Sequence, residues 1–325
     1  MKKILLLGHG VGIKRIIDTI REKRDLNAEV VGIVTHPLDR HKRELDMISR
    51  RKDMYGDCYY NVFEATKDYN IPLLESENVN NQESINWINA KCPDYIISVG
   101  CRDILRKPFL DLYPNKVFNI HTTPLPRYRG AATDTWMILN GEEGKELYGC
   151  FHEVDTGIDT GRILAKENYS FPPKSYPIDV FKARMSIFSE LFSKAVRLLN
   201  DGNCVFEVQN KNDATTFPRL YTPKDGRIDF KNMDGQEIQR MVYGFGYPFE
   251  GAHCFLNDER INLFDVEFIA SEGFHLFSFG LIFGKNEQDQ YKIYVKGGFI
   301  LVKKIEVNGK PVPQKIIFRV GKRLQ

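Results

Sequence analysis

A mostly parallel α/β sheet with flanking helices, followed by a small all-β module, is the fold this sequence predicts, on three observations. Near-continuous apolar runs at Lys3–Leu7, Val30–Val34 and Tyr95–Val99 are separated by stretches of helical periodicity. A glycine cluster, Gly8-His9-Gly10-Val11-Gly12, joins the first run to Ile13, Ile16, Ile17 and Ile20 at helical spacing. From Val205 onward the texture changes to short β-rich runs between Gly and Asn turns. Strands buried on both faces read as unbroken apolar runs, and helical crossovers between them make them parallel.

The elements follow in order. Strand, glycine turn and helix open the chain; the second strand ends at Thr35-His36, and the third follows a helical stretch around Ile85–Ala90. This is a Rossmann-like beginning. The fourth strand, Val117-Phe118-Asn119-Ile120-His121, alternates, so Asn119 and His121 share one face and Phe118 and Ile120 the other. Phe181, Met185, Phe188, Phe192, Ala195 and Leu199 recur every three or four positions ahead of Gly202, which predicts one long amphipathic helix closing the first domain. Gly280-Leu281-Ile282-Phe283, Lys292-Ile293-Tyr294-Val295 and Phe299-Ile300-Leu301-Val302 predict strands of a compact barrel. The boundary is placed near residue 204, giving a catalytic domain over 1–204 and a β domain over 205–325. Phe264, Phe268, Phe274, Phe277 and Phe279 either fill the barrel or offer a homodimer face.

Charge and cysteine usage narrow the class. With 46 Lys+Arg against 43 Asp+Glu the net charge is +3, too little for a dedicated nucleic-acid wrapper. No run reaches the roughly 18 apolar residues of a membrane span, and Met1–Gly8 enters a glycine turn rather than a signal-peptide core, so a cytoplasmic protein without membrane contact is expected. The six cysteines, Cys58, Cys92, Cys101, Cys150, Cys204 and Cys254, contain no CxxC pair, which fits neither a zinc site nor a disulfide framework. No metal is expected.

Two motifs have ordinary readings. In Gly8-His9-Gly10-Val11-Gly12 the third glycine sits one position early for a dinucleotide fingerprint, and Thr35-His36 replaces the acid that would grip a ribose, which disfavours NAD. A tight turn facing some phosphate-bearing ligand fits better. The basic run Arg40-His41-Lys42-Arg43 and Arg50-Arg51-Lys52 lies where the second strand ends, yet Glu44 and Asp46 are interleaved, so a solvated helix face and a phosphate contact are equally open.

The sharpest constellation is Asn119-Ile120-His121, the segment Thr122-Thr123-Pro124-Leu125-Pro126-Arg127-Tyr128-Arg129-Gly130, and the loop Asp155-Thr156-Gly157-Ile158-Asp159-Thr160-Gly161. Acyl transfer to an amine needs a proton acceptor, an oxyanion donor and a carboxylate beside the imidazole, and these residues supply all three types without a nucleophile.

At this point the chain resembles the N10-formyltetrahydrofolate-dependent formyltransferases, which share an Asn-x-His, a Pro-rich segment ending Arg-Gly and an Asp-x-Gly-x-Asp-x-Gly loop. The resemblance runs through most of the chain. It implies Asn119, His121 and Asp159 as the catalytic groups, with Asp159 preferred because it precedes the apolar pair Ile163-Leu164 and Asp155 held in reserve; the spacing implies a short insertion around Glu142 to Glu146. It implies N10-formyltetrahydrofolate as co-substrate, contacted by Gly100, Cys101, Ile104, Leu105, Asp155 and Ile158. The second half, Tyr221–Phe230 and Val242–Ala252, resembles the family's OB-like C-terminal domain.

Two branches share that plan, one formylating methionyl-tRNA and one formylating a nucleotide-linked amino sugar for surface polysaccharide or lipopolysaccharide. Gly8-His9-Gly10-Val11-Gly12 lacks the Thr-Pro-Asp-Phe of the tRNA enzymes, and Thr122–Pro126 replaces their Gly-Ser-Leu-Leu-Pro. The resemblance therefore favours the sugar branch, with a dTDP- or UDP-linked 4-amino sugar entering past His9, Gly10, Lys14 and Arg127. The basic run argues for the tRNA branch. A formyltetrahydrofolate hydrolase would use the same three polar groups with water as acceptor, and the transferase-like second half argues against it.

Overall fold

The computed structural model describes residues 1–325 apart from Asn203 and Phe274, without the side chains of Arg43, Glu44, Ile48, Arg50 and Ala65. Phe274 of the aromatic series, and the side chains of Arg43, Glu44 and Arg50 of the basic run, thus lie outside the described residues. The chain divides into two compact units. One comprises residues 1–131, 146–170 and 181–218; the other comprises 132–145, 171–180 and 219–325. Among the described residues no helix is long and apolar enough to cross a membrane.

The first unit is built on seven strands: β1 Lys2–Gly8, β2 Ala28–Thr35, β3 Leu73–Glu75, β4 Tyr95–Val99 and β5 Val117–His121, then β7 Leu147–Glu153 and β8 Ile163–Tyr169, in the order β3-β2-β1-β4-β5-β7-β8. The first five are parallel, whereas β7 runs antiparallel to β5 and β8 antiparallel to β7. The apolar runs are explained by two cores. Ile4 and Leu6 pack with Ile97, Phe118 and the helix residues Ile13 and Ile16, while Leu5 and Leu7 pack with Ile96, Ile88 and Phe109. Each of the strands β1 to β5 feeds both layers, as period-two alternation requires. Two features depart from the sequence expectation. The edge strand β3 and the antiparallel β7 had no clear apolar run, and the single long helix is two, Pro177–Ser186 and Phe188–Asp201. The Ser186 hydroxyl donates to the Ala183 carbonyl at 2.7 Å, a local bond that competes with continued helix at that turn.

A two-residue pair, β6 Arg129–Gly130 with β9 Thr216–Phe217, joins the Pro-rich segment to the stretch after the last helix.

In the second unit the strands β10 Ala252–Leu256, β11 Glu259–Ala270, β12 Ile282–Lys285, β13 Tyr291–Val295, β14 Gly298–Val307 and β15 Lys310–Pro311 form one antiparallel sheet, ordered β10-β11-β14-β13-β12 with β15 on β14. The expected strands near 282, 293 and 300 are β12, β13 and β14. The sheet's two ends are joined through residues 323–325. Gln325 and Phe255 exchange backbone bonds of 2.7 and 2.9 Å, and the Leu324 amide donates to the Gly280 carbonyl at 2.9 Å. The helix Gly235–Gly244, started by a capping box between Asp234 and Glu237, packs on this sheet. Of the aromatic series Phe264 is fully buried and Phe277 is exposed beneath the Arg323 guanidinium, 5.3 Å from its ring.

Deleting residues 323–325 removes those three backbone bonds and the buried Leu324 side chain, so we expect the shortened chain to melt at least about 5 °C lower by calorimetry.

Candidate active site

The site is assembled at the carboxyl end of β5, where ligands bind in open α/β sheets. Antiparallel register places His152 of β7 opposite Asn119 and Cys150 opposite His121. The His152 Nδ1 lies 2.7 Å from the Glu153 carbonyl, which can only accept, so the proton of the neutral ring sits on Nδ1. Its Nε2 is then an acceptor, and the Asn119 amide nitrogen donates to it at 3.1 Å. Burial pulls the His152 pKa down to about 4, against an opposing pull from Asp159, and keeps the ring neutral at ordinary pH. One hydrogen of the Asn119 amide is thereby committed, and the other is available to a ligand.

The same reasoning fixes His121. Its Nε2 stands 2.6 Å from the Tyr128 carbonyl and 2.6 Å from Thr123 Oγ1, and the Thr123 hydroxyl itself donates to that carbonyl at 3.2 Å. The ring therefore donates through Nε2, which leaves the Nδ1 lone pair facing Asp159 Oδ2 at 3.8 Å. Both side chains keep some solvent access, 13% for His121 and 17% for Asp159. The other oxygen of Asp159 is 3.8 Å from His152 Nε2.

Asp159 reaches this position from a loop shaped by close approach. Its φ is 52°, the left-handed region, and the Gly130 amide donates to its Oδ2 at 2.8 Å. A Cβ on Gly161 would lie 1.8 Å from the Glu153 carbonyl oxygen, so only glycine lets the loop close onto the end of β7. Asp155 is exposed and caps its own loop, accepting from the Gly157 amide at 3.0 Å and from the Thr160 hydroxyl. Of the two candidate carboxylates it is Asp159 that faces the imidazole. The arrangement offers a proton acceptor beside a carboxylate and an amide donor on the same strand end, a set suited to stabilising an oxyanion while moving a proton.

Comparison with known proteins agrees with this chemistry. Residues 2–185 match the formyl transferase family, and residues 221–319 match its C-terminal domain. The chain belongs to the formyl transferase family. Among relatives, a methionyl-tRNA formyltransferase of Clostridioides difficile is 31% identical over 234 residues, 72% of this chain and 71% of that protein. Another, of Geotalea daltonii, is 25% identical over 292 residues, 90% of this chain and 87% of that one. Among solved structures, an N-formyltransferase from Helicobacter canadensis, crystallised with folinic acid and dTDP-3-aminofucose, has a TM-score of 0.64 at 18% identity and covers 93% of this chain and 99% of its own. WlaRD, a sugar 3N-formyl transferase, has a TM-score of 0.63 at 18% identity and covers 95% of this chain and 99% of its own. At that identity the two structures speak for the fold.

The remaining residues singled out in the sequence of this formyltransferase are spread more widely. Ile104 and Ile158 are exposed apolar side chains, and Gly100 takes a φ of 66° beside His9. Leu105 is buried in the core with Phe109, and burial pushes the Cys101 thiol up to about 11. Ile104 borders a pocket of about 510 Å³ shared with Arg40, Asn78, Asn80, Arg102 and Asp103. At the first turn His9 packs on His41 with ring centroids 4.3 Å apart, and Gly10 caps the first helix with open space around it. Lys14 bonds Asp18 one turn along its own helix, so its ammonium is already engaged; Arg127 is exposed with its guanidinium 5.8 Å from the Tyr128 ring. Sequence reasoning missed His152, Thr123, the Tyr128 carbonyl and Gln209. A histidine within Cys150-Phe151-His152-Glu153, just before the Asp loop, was the available signal for the first.

The depressed pKa of His152 has a thermodynamic consequence. The unfolded chain takes up this proton near the ordinary 6.5 and the folded chain only near 4, so stability present above pH 6.5 is lost as the pH falls through that window. His253, lowered to about 4 chiefly by burial, acts in the same direction. We expect Tm to drop between pH 6.5 and 4, with a shallower slope for His152→Gln, as read by circular-dichroism melts across that range.

Proposed function

We propose that this formyltransferase moves a formyl group from N10-formyltetrahydrofolate to the primary amine of a nucleotide-linked amino-deoxy sugar of the dTDP- or UDP-4-amino type, in the making of surface polysaccharide. Charge is the observation that carries the choice of acceptor. A protein of 325 residues with a net charge of +3 has little excess cation to hold a tRNA backbone. In the basic helix Leu38–Arg50 the Arg40 guanidinium is already engaged, donating to the Glu77 carbonyl at 2.6 Å and lying 3.9 Å from Asp103. The Lys52 ammonium lies 4.7 Å from the Tyr59 ring. The fold likeness to an N-formyltransferase crystallised with dTDP-3-aminofucose and to a sugar 3N-formyl transferase, over nearly their whole length, supports a nucleotide-linked amino sugar as acceptor, though their amine stands at position 3. Methionyl-tRNA formylation is the second reading, favoured by relatives of that name at 25% and 31% identity.

In this reading a neutral amine attacks the formyl carbon, forming the new C–N bond as the carbonyl oxygen becomes an oxyanion. The free hydrogen of the Asn119 amide meets that oxygen. His121 takes the amine's proton at Nδ1, where the new charge is stabilised by the Asp159 carboxylate, and returns it to N10 of the folate as the old C–N bond breaks. Exposed Ile104 and Ile158 offer apolar surface for the pterin.

Asn119→Ala is expected to lower kcat on the order of 10²-fold or more with KM little changed. The acceptor is tested by offering N10-formyltetrahydrofolate with dTDP- and UDP-linked amino sugars against charged initiator methionyl-tRNA, with His121→Asn as blank. We expect sugar formylation; turnover on the tRNA alone rejects the sugar reading, and formate release without acceptor points to hydrolysis.

A further inference from the structure

Gln209 belongs to neither region matched by the family, which end at residue 185 and resume at 221. It lies in the stretch that follows the Phe188–Asp201 helix, a stretch expected from sequence to be the start of the β domain and found within the first unit. Its side chain is 6% exposed and its hydrogen-bonding capacity is fully used. The amide nitrogen donates to the carbonyls of Asp159 at 2.8 Å and Gly161 at 2.7 Å. The amide oxygen accepts Nε and Nη2 of buried Arg129 at 3.1 and 2.7 Å. One side chain thus clasps both ends of the Asp159–Gly161 turn and ties them to the strand whose Gly130 amide holds the Asp159 carboxylate.

The backbone of the same stretch repeats the connection. Glu207 and Ile163 exchange bonds of 2.8 and 2.9 Å, the Thr215 amide donates to Pro126, and the Arg129 amide donates to Thr215, the last two at 3.1 Å. The two walls of the site, the Pro-rich segment and the Asp loop, are therefore sewn together by residues 207–217. Asp159 sits at a φ of 52°, a region Asp enters more readily than most side chains, and the Gln209 amide donating to the Asp159 carbonyl is one of the two bonds, with that from Gly130, that hold it there.

We propose that Gln209 is a positioning residue for formyl transfer, fixing the Asp159 backbone so that its carboxylate stands beside His121 Nδ1. The inference rests on the catalytic role of Asp159 given above. Gln209→Glu keeps the shape and the oxygen facing Arg129 but has no hydrogens for the two carbonyls; Gln209→Met keeps the shape alone. The readout is steady-state turnover of N10-formyltetrahydrofolate with the acceptor the wild-type enzyme formylates. Both variants should lower kcat about 10²-fold, as misplacement of a reacting group does. KM for both substrates should stay within about threefold, and the acidic limb of the kcat–pH profile should move. On top of Asp159→Asn, Gln209→Glu should cost less than about threefold more, because the group it positions is already gone.

A folded Gln209→Glu enzyme with wild-type kcat overturns the inference. So does a loss carried in KM, or one that multiplies in full on Asp159→Asn. If Gln209→Met does not fold, Gln209→Glu, checked by its circular-dichroism melt, decides alone. Wild-type turnover by Asp159→Asn rejects the role of Asp159 and this inference with it, an outcome distinct from failure of Gln209 alone.

Discussion

The backbone amide of Gly130 donating to Asp159 Oδ2 at 2.8 Å is the contact on which the proposed site depends. It joins two segments that arrive from different directions, the turn after β5 and the loop between β7 and β8. With the hold of Gln209 on the Asp159 backbone it sets the distance from carboxylate to imidazole, and in the proposed mechanism the carboxylate's effect on a developing imidazolium falls with that distance. The contact is possible because Gly130 adopts a φ of 95° with the Phe217 carbonyl so close that a Cβ would come within 2.2 Å of its oxygen. Sequence serves chemistry here through absent side chains.

The sheet supplies the rest of the precision. Strands whose side chains are locked into two cores present their carboxyl ends as a rigid edge, so Asn119 and His121 are held by the packing of Phe118 and Ile120 on the opposite face. The reversal of direction at β7 then brings a second histidine against the asparagine of β5. His152 is useful because it is buried and neutral: a charged ring would have no lone pair for Asn119. The two histidines in the site, each 3.8 Å from one oxygen of Asp159, thus differ in burial, one enclosed and held uncharged and the other partly open to solvent.

Much of this was legible in the sequence, and the boundary of legibility is physical. Asn119 and His121 could be assigned to one face because strand alternation is local, and the β1, β2 and β4 runs announced themselves because both faces are apolar. The partnership of His152 with Asn119 depends on the register of β5 against β7, which residues 33 positions apart do not state locally. Strand β3, three residues long, carries no period to detect. The change of texture at Val205 was real, yet the chain returns from there to the first unit and pairs with Ile163, Pro126 and Arg129, so composition marked a change of style and not the edge of the first compact unit. Tyr128 acts through its main-chain carbonyl, for which a side-chain motif gives no signal.

The central claim is electronic and local: in the resting enzyme His121 carries its proton on Nε2, donated to the Tyr128 carbonyl, and keeps Nδ1 free beside Asp159. Nitrogen-15 NMR of histidine-labelled enzyme, with His121 assigned by comparison with His121→Asn, reads this directly. The account requires the neutral ring to show an Nδ1 resonance of the unprotonated, pyridine-like kind and an Nε2 resonance of the protonated kind. A neutral His121 whose pyridine-like nitrogen is Nε2 would contradict it.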